Sequence, residues 1–219
     1  MAQEVSQLNG LLLSIIHTRN IMYDELIFAH EPHTSHDAYV GGGAFLPSEI
    51  SWPCSADGVP LTHLASFPGK WFSPSLAAKP YWVSIFIPYL TGEVLHYRKL
   101  RAIHGNSEAI VVGYIRSEYE RNEAANQILD RGSIRLSKNA EADDEENLAS
   151  KLDGIDAWLQ GPIASNIGQR RISIYGGDLD AALPRHKGIL SDGMGYLFLD
   201  DNFANKAANE CGRFFLQLG

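Results

Sequence analysis

The chain has few cysteines, a shortage of positive charge and no long apolar run. Its two cysteines, Cys54 and Cys211, form neither a CxxC pair nor a dense framework. A disulfide-stapled scaffold is therefore not expected, and a reducing cytoplasm is the expected compartment. Lysine and arginine total 18 against 26 aspartates and glutamates, a formal net charge of −8. Neutralising phosphates takes a basic surface, so the balance argues against a nucleic-acid binder and fits solubility or a basic partner. The apolar run Leu11 to Ile16 is too short to span a bilayer. Met1 to Val5 carries no basic region or small-residue cleavage site, so no membrane insertion is expected. GxSxG, HExxH and GxGxxG are all absent, which removes the enzyme classes most readily read from a motif.

What is present leans towards strands and turns: nine Tyr, nine Phe and four Trp accompany twenty Gly and ten Pro. Short apolar or β-branched runs bounded by turn residues predict strands over Leu11–Ile16, Val59–Ala65, Trp82–Ile87, Glu93–Tyr97, Ala109–Ile115, Arg171–Tyr175, Met194–Leu199 and Arg213–Leu218. Ile21–Ala29 fits either a strand or a helix. The composition of Glu118–Leu129 predicts a helix, and Glu31–Pro53, rich in Gly, Pro and Ser/Thr, a structured loop. The block Glu141-Ala142-Asp143-Asp144-Glu145-Glu146 is expected to be exposed, as a loop or the first turn of a helix. No repeat or low-complexity linker divides the chain. The expectation is one compact domain of the α+β class, mostly antiparallel β with few helices.

One stretch is distinctive. Gly41-Gly42-Gly43, Pro47, Trp52-Pro53 and then Pro60-Leu61-Thr62-His63-Leu64-Ala65 resemble the leading motif of the YwqG-like family, a bacterial domain of unknown function. Leu152-Asp153-Gly154 to Trp158-Leu159-Gln160, Ser191-Asp192-Gly193 to Phe198, and Phe215-Leu216-Gln217 correspond to its later clusters. The second cluster departs from the family pattern, with Asp153-Gly154-Ile155-Asp156 in place of Gly-Gly-X-Pro. The resemblance implies a single YwqG-like domain over 1–219, with residues 1–40 a variable N-terminal extension packed on it. It also implies a twisted, largely antiparallel β-architecture and no established catalytic residues. Members stand beside bacterial toxins, which implies an immunity role.

The individual residues are consistent with a protein that binds without catalysis. The glycine run reads as backbone architecture, since no Lys-Ser/Thr opening a helix follows it to cradle a phosphate. His30, His33 and His36 would gather a metal only on a helix, which Pro32 disfavours, so they read as a surface loop and no metal or cofactor is expected. Cys54, Asp57 and His63 are close in sequence, but a Cys-His-Asp hydrolase needs them to converge, and no catalytic residue is assigned. Trp52, Trp82 and Trp158 read as core, whereas Trp71, among Pro68, Lys70, Ser73 and Pro74, is expected at the surface. The partner-binding residues expected are Asp143, Asp144, Glu145, Glu146 and Trp71. The functional expectation is a cytoplasmic immunity protein that neutralises a cognate basic toxin, plausibly a nuclease, through an acidic surface. The alternative is a small-ligand-binding protein or unrecognised enzyme with a pocket near the Gly-Gly-Gly/Trp-Pro cassette.

Overall fold

Strands that are buried on both faces read as continuous apolar runs, and this chain has several. Tyr81–Ile87 is buried at every position. The computed structural model describes residues 22–32, 37–93, 95–101, 107–138, 142–163 and 168–219. Among these lie ten strands: β1 (Asp24–Ala29), β2 (Ala38–Gly41), β3 (Thr62–Pro68), β4 (Tyr81–Ile87), β5 (Ile110–Ile115), β6 (Arg131–Lys138), β7 (Lys151–Leu152), β8 (Gln169–Tyr175), β9 (Met194–Leu199) and β10 (Gly212–Gln217). They form one sheet in the order β10-β9-β8-β7-β1-β6-β2-β3-β4-β5, and every strand pair is antiparallel. The sheet curls until its edges approach, with Arg101 bridging to Leu216 and Cys211 Sγ 3.6 Å from Val111 O. The expected strands over 194–199 and 213–218 emerge as β9 and β10, and the run read as either strand or helix over 21–29 is strand at Asp24–Ala29. Leu11–Ile16 lies outside the described residues.

The α+β label is corrected by this architecture. Among the described residues the one α-helix is α1, Gly176–Ala182, so the class is mostly antiparallel β. No helix among them is long and apolar enough to cross a membrane. β1 and β2 sit inside the sheet, so the parts of residues 1–40 that they occupy are inner strands.

The concave side of the sheet holds the main core, with Leu64, Phe67, Val83, Ile85, Ile172, Leu197 and Phe214 among its residues. Because side chains alternate along a strand, the opposite side of β3–β5 presents Trp82, Phe86, Val112 and Tyr114. There they form a second core with Ala44, Leu46, Trp52 and Leu61, from the glycine cassette and its sequel. Trp52 Nε1 donates to Leu61 O at 2.8 Å, closing this cover. Gly41 makes the entry to it possible. Its φ is +71°, and a Cβ there would lie 2.0 Å from Asp130 O, so only glycine combines that backbone with that approach.

Two expected elements are absent among the described residues, each for its own physical reason. Residues 118–129 form no helix, because their polar groups bond outward to the cassette. Ala44 and Arg121 exchange main-chain bonds of 2.9 and 2.8 Å, Asn122 Nδ2 donates to Gly42 O at 3.1 Å, and Arg121 Nη1 donates to Pro47 O at 2.7 Å. Tertiary bonds here override helix-favouring composition. Residues 93–97 form no strand. A turn at Gly92, with φ +80°, leads into a 3₁₀ helix, His96–Leu100.

Candidate partner-docking groove

The acidic block is less uniform than its composition implies. Asp143 is buried, against the expectation that all its acids face solvent. Its carboxylate accepts from Lys151 Nζ at 2.8 and 2.9 Å, from Asn147 Nδ2 at 2.7 Å and from the Ile155 N–H at 2.6 Å. Lys151 is equally buried, and burial pulls its ammonium below the ordinary lysine range against the opposing pull of Asp143. Asp143 is thus a structural anchor for the loop, because a buried charge is tolerated only when paired and hydrogen-bonded. Asp144, Glu145 and Glu146 remain exposed, with Asp144 Oδ1 accepting the Glu146 N–H at 2.9 Å. Trp71, expected at the surface, is half-buried on the main core, 5.9 Å from the Phe67 ring.

An apolar concavity lies where β3 begins and β4 ends. Residues 54–60 make a tight hairpin, with the Ser55 N–H donating to Val59 O at 2.8 Å and Cys54 bridged to Pro60. Opposite it, the chain leaving β4 turns through Leu90 and Leu95. Between them is a groove of about 250 Å³. Val59, Leu90 and Leu95 line it at 51%, 44% and 42% exposure, so three aliphatic side chains converge on one spot and face water there. Large apolar residues scattered singly over a surface need no explanation, whereas a convergent cluster marks a contact site.

The floor of the groove is rigid. Tyr89 packs edge-on against His96 and His186, with ring centroids at 5.2 and 5.9 Å. His186 Nε2 accepts the Leu129 N–H at 3.0 Å, so the ring proton sits on Nδ1, which donates to the Tyr89 hydroxyl at 3.0 Å. Burial lowers the affinity of His186 for a second proton. The ring nitrogens of His96 lie 2.7 Å from Glu93 O and 3.0 Å from Ile189 O, which ties the groove wall to the chain preceding β9. The rim carries Asp57, Glu93 and Lys99. Lys99 is engaged by Glu108 at 3.2 Å, which leaves the field at the mouth acidic.

The candidates drawn from the cassette are placed elsewhere. His63 Nε2 meets Ser66 Oγ at 2.7 Å and its Nδ1 lies 3.2 Å from Gly41 O. The contact continues through Ser84 at 2.5 Å to the Tyr114 hydroxyl at 2.7 Å. This row is fully enclosed between the sheet and the cassette, and burial raises the Tyr114 phenol above its ordinary value. Such a closed polar row specifies packing and offers a substrate no approach. Cys54 is exposed, and its thiol contacts Trp52 O at 3.4 Å, so Cys54 and His63 do not form a nucleophile–base pair. A shallow cavity of about 350 Å³ does adjoin the cassette, between Trp52, Cys54 and Ile110. His30 Nδ1 lies 2.8 Å from Ala182 O, and His33 and His36 lie outside the described residues. Among the described residues no group of three or more His, Cys, Asp or Glu is placed to hold a metal ion.

The groove was not legible in the sequence. Its members come from three segments, around 55–61, 88–99 and Asn126, and the sole local sign is leucines placed on either side of the turn Thr91-Gly92. No protein-family model matches the chain, and no curated protein matches it.

Proposed function

We propose that this chain is a non-catalytic binding protein that captures a basic protein partner by seating an apolar side chain in the Val59–Leu90–Leu95 groove. The observation that carries the reading is the convergence of three half-exposed aliphatic residues on a preformed concavity with a rigid floor. Interfaces concentrate their affinity in such apolar centres surrounded by a polar rim. Asp57 and Glu93 at the mouth, together with the net charge of −8, steer a basic partner towards it. Asp144, Glu145 and Glu146, held out on a loop pinned by Asp143, add to that field at longer range. The resemblance of the glycine cassette to the YwqG-like family makes a bacterial toxin, neutralised in the cytoplasm, the partner class we favour.

The test is affinity capture from the native host with the wild-type chain and Leu90→Asp, at low and raised salt. A single basic protein retained at unit stoichiometry, weakened by salt and lost by about thirtyfold or more in Leu90→Asp, is the expected result. Retention of the same protein by Leu90→Asp at full strength would remove the groove from the account.

A further inference from the structure

At the opposite end of the β3–β4 hairpin lies an open cavity of about 530 Å³ whose charge is the reverse of the molecule's. Lys70, Lys79 and Arg116 line it against one carboxylate, Glu118, in a chain of net charge −8. Main-chain bonds fix its frame. The Arg116 N–H donates to Pro80 O and the Ser117 N–H to Phe45 O, each at 2.8 Å. Arg116 follows Tyr114 on the outer side of the sheet, and its guanidinium carbon lies over two rings, 3.7 Å from the Phe45 ring centroid and 5.0 Å from that of Trp82.

The other described arginines that are not exposed are Arg121, Arg170 and Arg171, and each holds a carboxylate, of Glu123, Asp156 and Asp153 respectively. Arg116 makes no such pair among the described residues, and its Nε is buried without an acceptor. A guanidinium held against two aromatic rings and paired with no carboxylate among the described residues is preorganised for an external anion. Lys70 and Lys79 stand exposed beside it as point charges.

We propose that this cavity binds a small organic phosphomonoester, its head between Arg116, Lys70 and Lys79 and its carbon body against Pro68 and Pro80. Three cations against one carboxylate favour a doubly charged head over a carboxylate. The cavity has room beyond a phosphate head, and Pro68 and Pro80 give that room an apolar wall suited to an organic body. This site shares no lining residue with the groove, and its fate is independent of the partner-binding reading.

Calorimetric titration of the full chain with glycerol 2-phosphate, inorganic phosphate, acetate, glycerol and a short single-stranded DNA tests it. One glycerol 2-phosphate should bind per chain, at least about tenfold more tightly than acetate, with no heat from glycerol. Lys70→Ala and Lys79→Ala should each weaken it about two- to fivefold without changing the melting temperature. Arg116→Met should weaken it more than about tenfold. If Arg116→Met does not fold, the Lys70→Ala/Lys79→Ala double variant decides alone, since both side chains are exposed. Undiminished binding in that double variant overturns the site, as does failure of the wild-type chain to bind glycerol 2-phosphate. Preference for inorganic phosphate, parity with acetate, or tighter binding of DNA each overturns the phosphomonoester assignment.

Discussion

Asp143 is the buried, paired acid of an otherwise exposed block, and removing it gives a large, measurable effect. Asp143→Ala leaves the Lys151 ammonium buried at 1% side-chain exposure without the carboxylate that holds it at 2.8 Å. It also strips an acceptor from Asn147 and from the Ile155 N–H. Breaking one side of a buried ion pair costs about 3–5 kcal/mol, a large share of the roughly 5–15 kcal/mol that holds an average domain folded. For a chain of this size each kcal/mol lowers the melting temperature by about 2–4 °C, so Asp143→Ala should melt about 6–20 °C below wild type. Replacing both partners together, Asp143→Leu with Lys151→Met, removes the stranded charge and should recover most of the loss. Asp144→Ala, on the exposed part of the same block, should stay within about 0.5 kcal/mol. Urea unfolding followed by circular dichroism reads all three. If Asp143→Ala unfolds at the wild-type midpoint, the carboxylate is not the anchor described here.

Three further outcomes follow from the same geometry. Burial holds the folded His186 below the ordinary histidine value of 6.5, so its contribution to stability is complete above that value. It is lost as pH falls below 6.5, where the unfolded chain takes up the proton first; His186→Gln should flatten the stability–pH curve on the acid side of 6.5. Gly41→Ala should cost more than about 2 kcal/mol, and Gly58→Ala, also at positive φ but with nothing within 4 Å, only about 1 kcal/mol; the difference in denaturant midpoints isolates the close approach to Asp130. One thiol per native chain should react promptly with an aromatic disulfide reagent, since Cys54 is exposed while burial pushes Cys211 up to about 12; two prompt thiols would contradict the closure of the sheet around Cys211.

The parts of the fold that could be read from sequence are those where local preference and tertiary packing agree. Tyr81–Ile87 is β-branched or aromatic apart from Ser84, Met194–Leu199 is apolar with two aromatics, and both are buried throughout, so a short apolar run between turn residues identifies each as a strand. β6 was missed because its alternation is hidden. Its outward positions carry Ser133 and Arg135, which serve Glu31 through a 2.8 Å hydrogen bond and an ion pair, and Gly132 takes an inner position against Ala182. β2 was masked by the glycines that follow it. The segment 118–129 has helix-favouring residues whose bonds go to a partner more than 70 positions away, as between Arg121 and Pro47, and no local window contains that partner. Within the acidic block, nothing local distinguishes Asp143 from Asp144; the difference is made by Lys151 arriving on β7. The groove is still further from local reading, since it exists only once the 54–60 hairpin and the chain after β4 face each other.

The most direct test of the binding account is site-specific photo-crosslinking in the living host, with the photoreactive residue placed at Leu95 in one strain and at Glu145 in another. The account expects the Leu95 probe to join the chain to one basic protein, and the Glu145 probe to give that adduct weakly or not at all. Strong capture at Glu145 with none at Leu95 would return the interface to the acidic loop and contradict the groove.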